Sequence, residues 1–203
     1  MQAFTDERNA STPDEIWFCE HQPVFTLGLN AAQEHLLAPG DIPVIQIDRG
    51  GQVTYHGPGQ LMIYPLIDLR RAGLGVRDLV SGLEQSVVDL CAGYGIEAAS
   101  RCDAPGVYVD GVKLASVGLR IRRGASFHGM ALNVDVDLEP FSRINPCGFK
   151  GLQLTDLARL GADSDLAVVR DELLPHLLRH LGFDQSFSSA SLAGVPTSLQ
   201  SPA

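Results

Sequence analysis

VYVDGVKLASVGLRIRRGASFHGMALNVDV, residues 107–136, carries two turn signals placed to fold it back on itself twice. Asp110-Gly111 separates Val107-Tyr-Val109 from a run opening at Val112, and Arg123-Gly124 separates that run from the one opening at Ala125. Asp-Gly suits a type I′ turn, whose twist matches that of paired strands. The stretch therefore predicts two successive hairpins with strands at 112–122 and 125–136, an antiparallel meander. Along 112–122, a period of two sets Lys113 with Ala115, Val117, Leu119 and Ile121, and sets Ser116, Arg120 and Arg122 on the other face. A lysine on an apolar face is either desolvated, and then able to take a proton from a thiol, or near enough to the turn to snorkel to water.

Outward from the meander, Leu79, Val80, Leu83, Val87, Leu90 and Cys91 recur at spacings of three and four before Gly93 and Gly95. They predict an amphipathic helix with Cys91 on its apolar stripe. Earlier still, apolar runs at 43–48 and 61–67 read as strands flanking RGGQVTYHGPGQ, residues 49–60. Four glycines in those twelve residues read either as a tight strand connection or as a surface moulded around a substrate. Residues 15–20 and 24–27 add two short strands, and 28–41 a loop with a helical turn. Downstream, FSRINPCGFKG at 141–151 is an irregular loop. A short helix is expected at 155–160, capped by Thr155 or Asp156, and a longer one at 166–181 that Pro175 should kink or interrupt. Residues 183–203 are low in charge and complexity and read as a disordered tail. The order of elements predicts one α+β domain over residues 1–182, with a mixed or antiparallel sheet and helices on one side.

A net charge of -9 over 203 residues argues against nucleic acid and anionic membrane surfaces as partners. Arg120, Arg122 and Arg123 form the local exception, either a basic patch for an acidic partner or a solvated strand end. The polar, acidic N-terminus lacks a secretory signal and no long apolar run follows, so a cytoplasmic location is expected. Cys19, Cys91, Cys102 and Cys147 have no metal-site spacing, and neither metal nor cofactor is expected. Each is then a small core side chain or a reactive thiol. Cys147, between Pro146 and Gly148 and outside any periodic segment, is least like core, and Cys102 is second. A nucleophilic thiol needs a base or cation beside it, for which the candidates are Lys113 and the histidines. His56 can orient a substrate or donate to a developing oxyanion, and His128 adjoins Gly129, where a ligand can approach the backbone. A structural hydrogen bond is the competing reading for both. His21 is weaker, while His35, His176 and His180 read as surface or helix residues.

Four motifs in order, RGGQVTYHGPGQ at 49–60, DAPGVYV with Lys113 and SVGLRIRRG across 103–124, FHGMALNV at 127–134 and RINPCG at 143–148, resemble the octanoyltransferase family, the lipoyl(octanoyl) transferases of lipoate biosynthesis. The resemblance implies the fold of biotin and lipoate protein ligases, a catalytic Cys147 and Lys113 as the partner that activates it. It implies substrate contacts at Arg49, Gly50, Gly51, Gln52, Val53, Thr54, Tyr55 and His56, at Ser116, Val117 and Gly118, and at Gly129, Met130 and Ala131 with His128 beside them. Val117 and Met130 are the expected neighbourhoods of an alkyl slot, and amides of Gly50, Gly51 or Gly118 the expected oxyanion donors. The implied reaction carries octanoyl from octanoyl acyl carrier protein, through a cysteine thioester, to a lysine of lipoyl domains. Those are the domains of 2-oxoacid dehydrogenase E2 subunits and the glycine cleavage H protein. Two rivals use the same residues: an ATP-dependent lipoate protein ligase, and an acyl-carrier-binding module without chemistry. Family members carry an extra strand and most of a helix ahead of the segment matching 2–9, so this chain is expected to begin inside that helix.

Overall fold

The computed structural model describes residues 1–183, and the tail expected beyond them lies outside the described residues. Nine strands form in chain order: β1 (Glu15–Cys19), β2 (Val24–Leu27), β3 (Val44–Gln46), β4 (Thr54–His56), β5 (Gln60–Leu66), β6 (Ala99–Ser100), β7 (Gly106–Val109), β8 (Val112–Arg122) and β9 (Ala125–Asn133). Four α-helices accompany them: α1 (Gln2–Glu7), α2 (Leu69–Ala72), α3 (Val76–Gly93) and α4 (Leu166–His180). Both hairpin turns of the meander have the expected geometry, with φ of 50° and 80° at Asp110 and Gly111, and 53° and 89° at Arg123 and Gly124.

The main sheet has the order β1-β5-β9-β8-β7-β6 and every pairing in it is antiparallel. Alternation decides what each face buries. Leu61 and Ile63 of β5, with Met130 and Leu132 of β9, enter the large core beneath α3 and α4. Each such side chain contributes about 1.5–3 kcal/mol by leaving water. Met62, Tyr64 and Ala131 point the other way, where Met1 and Trp17 pack on them. Phe4 of α1 lies 5.5 Å from the Trp17 ring, so α1 covers the second face and the helices are not all on one side.

Several expectations need correction. Residues 49–60 are not loop throughout, because β4 lies within them and pairs with β2 in a second sheet of order β3-β2-β4, where β2 and β3 run parallel. Val53 and Tyr55 alternate into a second core with Phe25, Phe141 and Ile144, which holds so short a strand in place. Residues 155–160 make a turn rather than a helix, with Asp156 accepting from the Arg159 amide; Leu154 just before it bridges to Lys113. Helix α4 runs through Pro175, which is exposed, so the backbone acceptor left without a donor on that face is solvated. The arginine patch is partly spent: Arg122 pairs with Asp6 at 3.2 Å and Arg123 donates to the Asp6 carbonyl at 3.4 Å, fastening the β8–β9 turn to α1. Among the described residues, no helix is long and apolar enough to cross a membrane.

At Gly129 in β9, an added Cβ would lie 2.0 Å from the carbonyl oxygen of Ile63 in β5. The glycine serves close strand approach, not the ligand approach expected from sequence. Gly129→Ala should therefore lower the unfolding free energy by at least about 2 kcal/mol, read from the urea midpoint, by forcing the two central strands apart.

Candidate active site

Cys147 sits in the short 3-10 turn Pro146–Gly148 with φ 57° and ψ 17°. That left-handed backbone costs a residue with a side chain about 1–2 kcal/mol and is retained only where the surroundings impose it. Here the Cys147 amide donates to the Val53 carbonyl at 3.2 Å and the Gly148 amide to Asn145 at 3.0 Å. The thiol is thereby presented, half-buried, against the strand that follows the glycine-rich loop.

Lys113, second residue of β8, does not snorkel: it is 2% exposed. Its Nζ donates to the Pro105 carbonyl at 3.0 Å and stands 3.5 Å from Cys147 Sγ. The Tyr108 ring lies 5.3 Å away. Its backbone is gripped on the other side, the amide donating to Gln153 O at 2.9 Å and the carbonyl accepting from Thr155 at 3.0 Å. Gly106, at φ 140°, leaves the space the side chain needs, since a Cβ there would come within 2.6 Å of Lys113 Cε. Two residues 34 apart in the chain thus meet, an amine against a thiol.

Arg49 brings a positive charge to the same place. It is buried, and its guanidinium donates only to neutral oxygens: Thr26 O at 2.7 Å, Thr26 Oγ1 at 2.9 Å and Gly50 O at 2.9 Å. Burial pulls the guanidinium down to about 10, while the Cys147 thiol and the Tyr64 phenol pull it back up. Its field therefore reaches the Cys147 sulfur.

The role expected of His56 changes. Its Nδ1 lies 2.7 Å from Gln60 Oε1, Gln60 Nε2 donates to Asn133 Oδ1 at 2.8 Å, and Asn133 Nδ2 donates to the Thr155 carbonyl at 2.9 Å. A carbonyl only accepts, so each amide in the chain is oriented and His56 must carry its proton on Nδ1. Burial, with the charge of Arg49 adding to it, pulls this imidazole down to about 3. Neutral, with Nε2 unprotonated, His56 can only accept at that nitrogen, which does not suit the oxyanion donor suggested by sequence. His128 is engaged structurally, with Nε2 2.9 Å from Asp48 Oδ1, and Asp48 is also held by Gln2 at 2.8 Å. Burial lowers the His128 imidazole and the Asp48 contact opposes it. The pair secures the residue preceding Arg49.

One neighbour escaped the sequence reading. His35, at the end of the turn Gln33–His35, accepts the Asn145 amide on its carbonyl at 2.8 Å, and its Nε2 is 3.5 Å from where a Cβ on Gly148 would stand. Only the tertiary pairing of Leu36 with Ile144 brings it there, and no local pattern announces that pairing.

The lipoyl protein ligase A/B catalytic domain matches residues 1–178 of this chain. An octanoyltransferase of Stutzerimonas stutzeri (strain A1501) is 61% identical over 185 residues, covering 91% of this chain and 84% of the relative. One from Hahella chejuensis (strain KCTC 2396) is 58% identical over 194 residues, covering 96% and 87%. The chain belongs to the octanoyltransferase family. Among solved structures, lipoate-protein ligase A bound with ATP superposes with a TM-score of 0.74 at 16% identity, covering 90% of this chain and 78% of that one. Biotin protein ligase from Aquifex aeolicus in complex with biotin and ATP superposes with 0.53 at 17% identity, covering 77% and 70%. These two likenesses establish the ligase-type α+β fold.

The remaining octanoyltransferase motif residues divide by what they touch. Ser116, Val117 and Gly118 pair directly with Ala131, Met130 and Gly129. Met130 is buried in the main core and Val117 packs against it half-buried. The Gly50 amide donates to Leu119 O at 3.0 Å, which removes it from the oxyanion donors. Gly118 borders Arg49, whose Cδ is 3.3 Å from an added Cβ, and Gly51 follows Gly50 on the same loop. Gln52 accepts from the Ala32 amide at 2.9 Å and reaches toward Gly148. Thr54 pairs with Thr26, and the Tyr55 ring packs 5.3 Å from Phe141.

The unfolded chain takes up a proton at His56 as pH falls through about 6.5, whereas the folded protein does not until about 3. Stability must therefore decline as pH falls from about 6.5 toward 3. Melting temperatures measured from pH 7 to 4 should fall less steeply in His56→Asn than in the unsubstituted protein, even though the variant starts lower.

Proposed function

We propose that this chain, acting as one catalytic domain over residues 1–182, transfers octanoyl from octanoyl acyl carrier protein to a lysine of lipoyl domains through a thioester on Cys147. The observation carrying the reading is the buried Lys113 amine 3.5 Å from Cys147 Sγ, in a chain whose relatives at 61% and 58% identity are octanoyltransferases. Lys113 Nζ takes the thiol proton, the sulfur attacks the thioester carbonyl, and the carrier's pantetheine sulfur leaves with that proton. The ε-amine of a lipoyl-domain lysine then attacks the Cys147 thioester. Its N–C bond forms, the S–C bond breaks, and the proton lost by nitrogen returns to sulfur. A thioester is more activated than the amide formed, so the sequence of steps requires no ATP.

The acceptors are the lipoyl domains of 2-oxoacid dehydrogenase E2 subunits and the glycine cleavage H protein, and the compartment is the cytoplasm. Support for a lipoyl-domain acceptor comes from the fold, since an archaeal bi-partite lipoate protein ligase described with its E2 lipoyl domain, from Thermoplasma acidophilum, superposes with a TM-score of 0.73 at 17% identity. Support for a carrier-borne donor comes from a cavity of about 150 Å³ lined by Arg101, Tyr108, Phe149 and Lys150. The Tyr108 ring borders it and lies 5.3 Å from Lys113 Nζ, and of the two cations on its rim Arg101 is paired with Asp103 at 2.7 Å, which leaves Lys150 to meet a carrier's acidic groups.

Intact-mass measurement after mixing with octanoyl acyl carrier protein, without ATP, should show one octanoyl group, mapped to Cys147. Cys147→Ser should lose more than about a hundredfold in transfer and Lys113→Ala about a hundred- to a thousandfold, both remaining folded. Adenylate formation with activity retained in Cys147→Ser would establish the ligase reading instead. Carrier binding without labelling would establish the binding module.

A further inference from the structure

Glu84 of α3 is a carboxylate buried in the wall of the domain, 8% exposed, with no part in the reaction as described above. Its Oε1 accepts the Gly106 amide at 2.6 Å. The carbonyl of that same peptide unit, Pro105 O, accepts from Lys113 Nζ at 3.0 Å. One peptide group is thus held between a carboxylate on its N–H and an amine on its C=O, and polarisation runs along it in one sense. Glu84 is raised by burial, and the Gly106 amide and the charge of Lys113 draw it back down, so the two side chains feel each other.

We propose that Glu84 is a positioning residue for Lys113: it fixes the Pro105–Gly106 peptide that aims Nζ at Cys147, and its charge holds the proton on Nζ once the thiol has released it. The proposal rests on the Cys147–Lys113 reading. The peptide is close-packed where it is held: at Gly106, with φ 140°, an added Cβ would lie 2.4 Å from Ala115 O and 2.6 Å from Lys113 Cε. The other groups facing the pair are Tyr108 from β7, Arg49 from the loop before β4 and His35 beside Gly148, while the 153–155 segment contributes only uncharged side chains. Among the charged groups in that circle, Arg49 acts on the sulfur and Glu84 on the amine.

The test is the pH dependence of iodoacetamide alkylation at Cys147, followed by peptide mass in the full chain. Glu84→Gln keeps an acceptor for the Gly106 amide and removes the charge. The midpoint should rise by about half a unit to one unit. Lys113→Ala in parallel should raise it further. A midpoint unchanged in Glu84→Gln but moved in Lys113→Ala overturns the role of Glu84 and leaves the pair intact, whereas no movement in either overturns the pair and the proposal with it. Glu84→Asp keeps the charge but withdraws it from the peptide by one methylene. It should hold the midpoint and slow alkylation above it about threefold, and a rate equal to that of the unsubstituted protein overturns the positioning role even if Glu84→Gln does not fold.

Discussion

A lysine amine cut off from water must be given acceptors by the protein, and the placing of those acceptors around Lys113 Nζ governs the layout of this molecule. One is the Pro105 carbonyl and the other the Cys147 sulfur. To supply the first, the chain before β7 turns through Gly106 in a conformation no side chain would accept. To supply the second, it places Cys147 in a left-handed backbone within a turn bonded to Val53. Neither arrangement is stable by itself. Each is imposed by a core built elsewhere: β7 and β8 lie against α3, while Val53 and Tyr55 seat their strand among Phe25, Phe141 and Ile144.

The two cores are joined by polar contacts that also orient the site. From His56 in the small sheet, hydrogen bonds pass through Gln60 of β5 and Asn133 of β9 to the Thr155 carbonyl, and the Thr155 amide closes on the carbonyl of Lys113. Each link in this line pairs a donor with an acceptor, which is the condition for a buried polar network to stabilise rather than to cost. The line fixes the histidine's tautomer and locates the backbone of the lysine. A packing defect at Asn133 would disturb both.

How much of this is legible in the sequence follows from the range of each interaction. The meander and α3 rest on local signals, the Asp110-Gly111 turn and the three-four spacing of Leu79, Leu83, Val87 and Leu90, and they form where those signals put them. The apolar face of Lys113 is likewise a local fact of alternation, but only burial by β7, α3 and the 146–148 turn decides between a desolvated amine and a snorkelling one. Strand β4 is illegible because its three residues sit among glycines and are held by Phe25 and Phe141, which are remote in the chain. The proton on His56 is illegible for the same reason: Gln60 is 4 residues away, but the amide that orients Gln60 is a further 73. The motif pattern singled out Cys147 and Lys113, which the fold brings within 3.5 Å of each other. It also took in Met130, which is buried in the main core, and Val117, which packs half-buried against it.

The charge balance links the glycine-rich loop to Cys147 despite their separation along the chain. Arg49 is buried with only neutral partners, a costly arrangement that ordinary stability would not select, since a paired or absent charge would be better there. Its field extends to the Cys147 sulfur, so the cost is offset whenever that sulfur is negative. Asp48, the nearest acid in sequence, is turned away onto His128 and Gln2 and does not neutralise it. The loop thus holds a cation whose charge reaches the thiol, while Glu84 on α3 holds the far side of the peptide that Lys113 grips. In the thioester reaction proposed above, positive charge felt at the sulfur and negative charge behind the amine favour the same event, movement of the proton from Sγ to Nζ, and neither group has to touch the reacting atoms to do so.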